Sequence, residues 1–283
     1  MPHDSAASRT RQFDGPDTLR TLEAMPGYVL DHHLHGEGAR LALMSRLLDP
    51  MHRRYIEQLG IGPGARTLEV GFGNGSVSAW LADLVGPTGE AVAVDIDLSL
   101  VDPTTAPANL DYIEGDIVAG PIDPGTFDLV TARAVLHHVT DVDRAVANLV
   151  ASLAPRGAIL LIEPDFLPVT IAEPPAVHRF WEGWLAWSRE QGIDYFLGRT
   201  LARRLASHQL EDIDGTAETA VYQGSSAWAT YWVDTVDELR DGLVESGHLD
   251  DDLVDQFLAQ CADPTWWTQT IAFTAVHGRA TTS

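Results

Sequence analysis

The sequence predicts an α/β protein with a doubly wound, mainly parallel sheet of seven strands and a helical cap. Three observations support this fold class. Short apolar runs alternate with helical patterns from Arg66 onward, a glycine-rich loop directly follows the first run, and an aromatic-rich helical segment precedes the last strands. Such alternation is typical of a parallel sheet that helices cover on both faces. We therefore expect one α/β domain with the helical cap inserted in its second half.

Seven segments have the length and apolar content of strands. We predict strands at residues 66–70, 91–95, 110–114, 127–132, 158–162, 216–222 and 268–276. Helical spacing predicts helices at residues 76–84, 142–153, 180–187, 199–208, 227–245 and 250–261. Before the first strand, Asp49-Pro50 predicts a break between two helices, because a residue that precedes proline disfavours the helical conformation.

These elements predict three regions within the chain. Residues 1–60 form an N-terminal arm and lid helices, and residues 61–166 form a ligand-binding α/β core. Residues 167–283 form the helical cap insertion and the closing strands of the same domain.

The charge balance limits the partners of the protein. Its 283 residues include 41 acidic and 18 basic side chains, every basic residue is arginine, and the net charge is −23. Such a surface repels phosphate backbones and anionic headgroups, so we expect no nucleic-acid partner and no membrane partner. The single Cys261 allows no internal disulfide, and the first twenty residues are polar. We therefore expect a cytoplasmic protein.

The strongest motif is LEVGFGNG at residues 68–75, which follows a strand and opens a helix. Glycines at 71, 73 and 75 let the backbone turn sharply and approach a ligand beside a helix N-terminus. A nicotinamide fingerprint requires GxGxxG, and Ser76 breaks that spacing. Asp95 ends the second strand, where it can accept hydrogen bonds from ribose hydroxyls, and Asp116 follows the third. With no lysine in the chain, a triphosphate-binding P-loop is excluded.

Five motifs in order resemble one known family. LEVGFGNG, AVAVDID, EGDI, FDLVTARAVLHHV and LAPRGAILLIEP are similar to motifs of the class I S-adenosylmethionine-dependent methyltransferases, in particular the ubiquinone/menaquinone-type branch that acts on small molecules. The resemblance covers residues 36–166, and the closing WWTQTIAFTAVHGR is similar to actinobacterial members. It implies a Rossmann-like methyltransferase fold and S-adenosyl-L-methionine as the cofactor.

The resemblance also implies a cofactor site, residue by residue. Gly71, Gly73 and Gly75 would lie against the methionine part and Glu69 would hold its amino group, although aspartate is commoner there. Asp95 would bind the ribose, Ile96 and Ile117 would sandwich the adenine, Asp116 would accept its amine, and Arg133 would contribute mainly backbone near the sulfonium. A lone glycine loop is more often a tight turn, but five motifs in order favour the cofactor site.

Two residues are candidates for catalysis. Glu163 ends the strand at 158–162 on the expected ligand edge, which makes it a candidate base; the alternative is a structural carboxylate that caps the loop before Pro164. The resemblance directs His137 toward the acceptor and His138 into packing. For His137, a structural role is an equal alternative.

The remaining aromatic and histidine-rich segments leave alternatives open. Phe180, Trp184 and Trp187 share one helical face, which indicates core packing or a wall for an apolar or aromatic substrate. His32, His33 and His35 fit no standard zinc pattern, so we expect no metal site and interpret 28–35 as a lid.

The resemblance implies in-line methyl transfer to a small-molecule acceptor, in a biosynthetic pathway of secondary metabolism. The alternative is a methyltransferase-fold protein that binds the cofactor and catalyses a non-methylating reaction such as a cyclisation. A homodimer is compatible with the sequence.

Overall fold

The computed structural model describes residues 11–12 and 37–282. The strands are β1 (Arg11–Gln12), β2 (Arg66–Val70), β3 (Glu90–Asp95), β4 (Leu110–Glu114), β5 (Phe127–Arg133), β6 (Leu153–Asp165), β7 (Glu211–Gln223) and β8 (Trp267–Arg279). The helices are α1 (Glu37–Gln58), α2 (Ser76–Val85), α3 (Val142–Ser152), α4 (Pro175–Glu190), α5 (Leu201–Ala206), α6 (Ala227–Glu245) and α7 (Asp251–Ala262). The segment 28–35, which we interpret as a lid, lies outside the described residues.

The strands form one sheet in the order β1-β4-β3-β2-β5-β6-β8-β7. Strands β1 to β6 pair in parallel, whereas β8 runs antiparallel between β6 and β7. The seven predicted strands are confirmed, and the two-residue β1 adds a short eighth strand beside β4. Chain order reverses between β2 and β5, and ligands of open α/β sheets bind beside such a reversal at the carboxyl edge.

Alternate residues of the central strands pack on opposite faces of the sheet. Leu129, Leu160 and Ile162 belong to the core beneath α1, α2 and the cap helices α4, α6 and α7. Their neighbours Val130 and Leu161 belong to the second core, which also contains apolar residues of α3 and α5. Because both faces are covered, these strands consist of nearly continuous apolar runs.

Pro50 does not divide the first helix. The prediction of two helices is wrong, because α1 continues from Glu37 to Gln58 with Pro50 inside it. Proline removes one helical hydrogen bond, which costs about 3 kcal/mol in an exposed helix interior. Burial of Leu48, Met51 and Ile56 on either side offsets this cost, since these side chains join the core that covers one face of the sheet.

Strand β6 begins earlier than predicted. Helix α3 passes directly into it, and residues 154–157, which lie between the predicted helix and the predicted strand, form a bulged stretch in which Arg156 has φ 64°. Gly157 is required there, since a Cβ would lie 2.5 Å from the carbonyl oxygen of Phe127. The carboxyl end of β6 extends to Asp165 because β8 pairs with it up to Ala272.

The predicted aromatic helix is the centre of the cap. Phe180, Trp184 and Trp187 of α4 are all buried. Phe180 and Trp187 pack in the core, whereas Trp184 also lines a cavity. The ring of Phe180 stacks on Phe257 of α7 with centroids 3.8 Å apart, and Trp181 packs edge-on against Trp232 of α6. These contacts join the three long cap helices into one layer.

Within residues 37–282 no helix has the length and apolar character needed to cross a bilayer. The cytoplasmic location stays a prediction.

Candidate functional site

The glycine loop between β2 and α2 needs glycine for two physical reasons. Gly71, Gly73 and Gly75 have φ angles of 72°, 55° and 73°, which L side chains rarely adopt. A Cβ on Gly71 would also lie 2.1 Å from a methyl carbon of Val135, and one on Gly75 would lie 2.6 Å from the Tyr112 hydroxyl. The loop can therefore lie close to the turn that follows β5.

Asp95 connects this loop to the end of β3. Its Oδ2 atom accepts a hydrogen bond from the Gly73 N–H at 3.2 Å, and its Oδ1 atom accepts one from Ile96 at 2.8 Å. The neighbouring strand β4 is followed by Asp116, whose Oδ1 atom accepts from the Val118 N–H at 2.8 Å. Both carboxylates thus lie at the carboxyl edge of the sheet, as the sequence predicts.

Glu69 lies below this edge. It is 4% exposed and accepts a hydrogen bond from the Ser78 hydroxyl of α2. Burial raises the pKa of Glu69 to about 7, although the Ser78 hydrogen bond and the charge of Arg133 act in the opposite direction. Near neutral pH the carboxyl of Glu69 is therefore partly protonated. A cation bound beside it would favour the ionised form.

Arg133 fixes α1 to the site. Its Nη1 atom lies 2.9 Å from Oδ1 of Asp49, and the other oxygen of Asp49 pairs with Arg53 at 3.1 Å. Asp49 precedes Pro50, so the residue that predicts a helix break is an ion-pair partner of the site. The sequence gives only one local sign of this role, the i,i+4 spacing of Asp49 and Arg53.

One cavity lies between the carboxyl edge and the cap. Of the predicted site residues, its wall contains Gly71, Gly73, Asp95, Ile96, Asp116, Ile117, Arg133 and His137. Glu69, Gly75 and Glu163 lie behind this wall. Eight residues expected from the sequence thus converge on one cavity, and their individual roles stay predictions.

Glu163 is placed differently from the expectation of a base in contact with the acceptor. The side chain is completely buried, and its Oε1 atom accepts backbone N–H groups of Val135 at 3.0 Å and Leu136 at 2.8 Å. Its Oε2 atom accepts from the backbone N–H of His137 at 3.3 Å and lies 2.7 Å from Nδ1 of the same residue. Both oxygens of Glu163 therefore contact the turn after β5, and a role of Glu163 in catalysis stays a prediction.

The turn that Glu163 caps starts with a strained residue. Ala134 has φ 55°, a conformation that costs a non-glycine residue about 1 kcal/mol. The three consecutive N–H groups that follow all point at one carboxylate, which stabilises the turn. As a result, the His137 side chain occupies the cavity wall with its Nδ1 atom fixed.

Both neighbouring histidines are neutral at pH 7. Burial lowers the pKa of His137 to about 3, and burial also lowers the pKa of His138 well below its usual range. Burial raises the pKa of Glu163 to about 7, while the backbone N–H groups favour its ionised form. When Glu163 is ionised it only accepts at Oε2, so we assign the His137 proton to Nδ1 in that state, which leaves Nε2 as an acceptor.

The far half of the cavity is aromatic. Its wall contains Phe166, Trp184, Tyr195, Tyr231, Trp232 and Phe273, together with both histidines and Arg40 of α1. Tyr195 stacks on Phe166 with ring centroids 4.1 Å apart. Of these residues the sequence pointed only to Trp184 and the two histidines. Arg40, Tyr195 and Tyr231 were missed because they come from segments far apart in the chain and carry no local pattern.

No metal site forms within residues 37–282, where no three histidine, cysteine or acidic side chains cluster suitably. His32, His33 and His35 lie outside the described residues, so the expectation for them stays a prediction.

Comparison with known proteins agrees with this geometry. Residues 68–161 match the family model described as a methyltransferase domain. Together with the strand order and the glycine loop, the match shows a class I S-adenosylmethionine-dependent methyltransferase domain, which confirms the resemblance seen in the sequence.

One curated relative is similar to about half of the chain. The chain is 33% identical over 142 residues to the ubiquinone/menaquinone biosynthesis C-methyltransferase of Pseudomonas putida, covering 46% of this chain and 55% of that protein. The chain thus spans about half the length of the curated relatives it matches.

Two solved structures share the fold. One is phosphoethanolamine N-methyltransferase 2 of Haemonchus contortus in complex with phosphomonomethylethanolamine and S-adenosylhomocysteine, with 15% identity, a TM-score of 0.51, and coverage of 86% of this chain and 52% of that one. The other is the [4+2]-cyclase SpnF, with 17% identity, a TM-score of 0.52, and coverage of 81% and 82%. At these identities the similarity shows the fold alone.

Proposed function

We propose that the protein transfers the methyl group of S-adenosyl-L-methionine to a small-molecule acceptor in a biosynthetic pathway of secondary metabolism. The observation that supports the proposal is one cavity whose wall contains two groups of residues. One end contains the glycine loop and the strand-end acids, and the other contains aromatic side chains and His137. A cofactor and an acceptor can therefore lie next to each other away from water.

The residues at the first end fit the cofactor. Gly71 and Gly73 of the glycine loop line the cavity, so the backbone there can approach a ligand without a side chain in between. Asp95 faces the cavity from the end of β3, where a carboxylate can accept hydrogen bonds from two ribose hydroxyls. Ile96 and Ile117 offer apolar surfaces for the adenine, and Asp116 offers an acceptor for its amine.

The residues of this chain position the cofactor and the acceptor and enclose them. The cofactor supplies a methyl group that is already activated for in-line displacement. Helix α1, fixed by the Arg133–Asp49 ion pair, and the cap helices α4 and α6 close the cavity over the sheet edge. Good orientation of two reactants contributes up to about 7–11 kcal/mol, so precise walls matter more here than acid–base chemistry.

Where the acceptor atom carries a proton, His137 is placed to remove it. Its Nε2 atom is the free acceptor of a ring whose Nδ1–H donates to Glu163. When it is ionised, the buried carboxylate would stabilise the imidazolium that forms and so oppose the burial that lowers the pKa of His137. In this proposal His137 is the catalytic residue and Glu163 is its positioning residue.

Methyl transfer is tested with a cofactor that carries a labelled methyl group. Purified protein is incubated with it and a panel of small aromatic acceptors, and both label in the acceptor and S-adenosylhomocysteine are measured. The proposal expects the two products in equal amounts. Tight cofactor binding with unlabelled, chemically altered acceptors would favour the cyclisation-type alternative instead. His137→Ala serves as the catalytically impaired control with an intact cofactor end.

A further inference from the structure

The aromatic half of the cavity contains a buried hydrogen-bond donor that lacks an acceptor. Trp184 of α4 is 1% exposed and lines the cavity, and its indole Nε1–H donates to no other described residue. Burial of an N–H group without an acceptor is unfavourable, and native proteins contain few such groups. An oxygen atom of a bound ligand would supply the acceptor.

Two other buried tryptophans show how the fold otherwise pairs this group. Trp232 of α6, which packs edge-on against Trp184, donates from Nε1 to the Thr270 hydroxyl at 3.2 Å. Trp266 donates from Nε1 to the Glu173 carbonyl at 3.0 Å. In both cases a residue of the chain is the acceptor, whereas Trp184 has no such acceptor among the described residues.

Tyr195 is the polar neighbour of Trp184 in the cavity wall. The two ring centroids are 6.3 Å apart, and the Tyr195 ring also stacks on Phe166 and lies 5.4 Å from the His137 ring. Burial raises the pKa of Tyr195, so its hydroxyl keeps its proton at neutral pH. The Trp184 indole opposes this shift and so lies near the hydroxyl, although the two groups are not aligned for a hydrogen bond.

Two neighbouring neutral donors select for an oxygen that accepts. An indole N–H can only donate, and a protonated phenol hydroxyl can donate as well. A carbonyl oxygen has two lone pairs and can accept from both groups. An apolar group of the same size would leave the indole N–H unpaired, and sites that pair a polar group of the substrate reject analogues that lack it.

We propose that the acceptor carries a carbonyl oxygen, which accepts hydrogen bonds from the Trp184 indole and the Tyr195 hydroxyl and so orients the molecule beside His137. The proposal rests on the proposed function, since it describes the acceptor of that reaction. It makes Trp184 and Tyr195 determinants of specificity, a role that the aromatic character of the wall does not by itself require.

NMR of the indole N–H groups tests the proposal on the unaltered chain. The full chain, labelled with ¹⁵N and saturated with S-adenosylhomocysteine, is titrated with acetophenone or with α-methylstyrene, which has the same shape but a CH₂ group in place of the oxygen. We expect the Trp184 indole proton to move downfield with acetophenone relative to α-methylstyrene. The indole proton of Trp187, which lies on the same helix outside the cavity wall, should not distinguish the probes. Trp184→Phe assigns the resonance.

Three variants test which groups cause the preference. The ratio of the dissociation constants of the two probes is compared with that of the wild type. Trp184→3-benzothienylalanine keeps the ring shape and removes the N–H, and Tyr195→Phe removes the hydroxyl. Each should reduce the preference for acetophenone about fivefold, the usual effect of one hydrogen bond. Trp187→Phe, a buried change on the same helix, should leave the ratio unchanged. Tyr195→Phe keeps the test decisive if the change at Trp184 prevents folding.

Several results would overturn the proposal. They are no binding of acetophenone, an equal response of the Trp184 proton to both probes, or the same loss of preference in Trp187→Phe. A ratio that neither Tyr195→Phe nor the change at Trp184 alters would also overturn it, since the indole would then serve the packing of Tyr195 alone. Each of these results, obtained with a chain that binds S-adenosylhomocysteine, leaves the proposed function standing. Failure of the wild type to bind S-adenosylhomocysteine would refute the proposed function and this proposal with it.

Discussion

The Nδ1 atom of His137 lies 2.7 Å from Oε2 of Glu163, in a pair from which solvent is almost excluded. The same carboxylate accepts the backbone N–H groups of residues 135–137. Glu163 therefore fixes both the turn after β5 and the tautomer of the histidine that it carries. A change at Glu163 should act on the reaction through His137.

We expect Glu163→Gln to lower turnover about 10²- to 10⁴-fold, the usual range for loss of base catalysis. An amide NH₂ in place of Oε2 would face the two donors of His137, so the ring would have to carry its proton on Nε2. Cofactor affinity should stay near that of the wild type, because the glycine loop and Asp95 do not contact this pair. Steady-state kinetics with calorimetry measure both quantities. Glu182→Gln on the exposed face of α4 is the matched control.

The double variant separates positioning from direct participation. If Glu163 acts only through His137, the variant Glu163→Gln/His137→Ala should turn over no more slowly than His137→Ala alone, a strongly non-additive result. Additive losses would show that Glu163 contributes independently of the histidine. Near-wild-type turnover of both single variants would mean that no protein base is used.

Substitutions at two positions of the glycine loop should destabilise the protein to different extents. Gly71→Ala adds a methyl group at 2.1 Å from Val135, whereas at Gly73 the nearest atoms, in Leu41, are 3.8 Å away. Both variants strain a positive φ, but only the first also overpacks the turn. We expect Gly71→Ala to lose about 1–3 kcal/mol more unfolding free energy than Gly73→Ala. Urea unfolding of both variants measures the difference, and equal losses would contradict the close contact.

His52 should make stability depend on pH. Its Nε2 atom lies 2.7 Å from the hydroxyl of Thr131, which itself donates to the Leu160 carbonyl at 2.9 Å, so Nε2 carries a proton and donates to Thr131. Burial and the charges of Arg133 and Arg53 lower the pKa of His52 well below its usual value. As pH falls below about 6.5, the unfolded chain takes up a proton that the folded protein does not, so stability is lost.

Substitution of His52 should therefore reduce the pH dependence of the unfolding free energy. Between pH 7.5 and 5.5 one such histidine accounts for about 1.4 kcal/mol of unfolding free energy. We expect His52→Gln to lose that much less stability over this interval than the wild type, as measured by denaturant unfolding at the two pH values. Arg46→Gln on the same helix should leave the interval unchanged. An unaltered pH dependence in His52→Gln would show that this ring is protonated in the folded state.

Local signals predicted most of the fold. Strand β2 and helix α6 have the ends that the sequence predicts, because glycine, proline and capping residues mark them. The carboxyl end of β6 was missed because pairing with β8, a partner distant in the chain, extends it to Asp165. Its amino end was missed because Leu153 pairs with Phe127 across a bulge. Pro50 was misinterpreted because a local rule cannot weigh the tertiary burial that holds α1 together.

The two ends of the cavity also differ in how far the sequence predicts them. The nucleoside end was predictable because each residue follows its own strand, and parallel strands bring their carboxyl ends to one edge. The aromatic end depends on α1, on the loop with Tyr195 and on α6, which meet only after the cap has packed. Glu163 was placed at the correct edge, but whether its oxygens faced the acceptor or the backbone depended on the turn after β5.

Calorimetry tests most directly whether the carboxyl edge of the sheet binds the nucleoside of the cofactor through Asp95. S-adenosylhomocysteine is titrated into the wild type, into Asp95→Ala and into Asp102→Ala, an exposed aspartate nearby. Loss of the Asp95 hydrogen bonds should cost about 1.5–3 kcal/mol, so we expect at least tenfold weaker binding to Asp95→Ala and no change in the control. Equal affinity of the wild type and Asp95→Ala, or no binding by the wild type, would contradict the account.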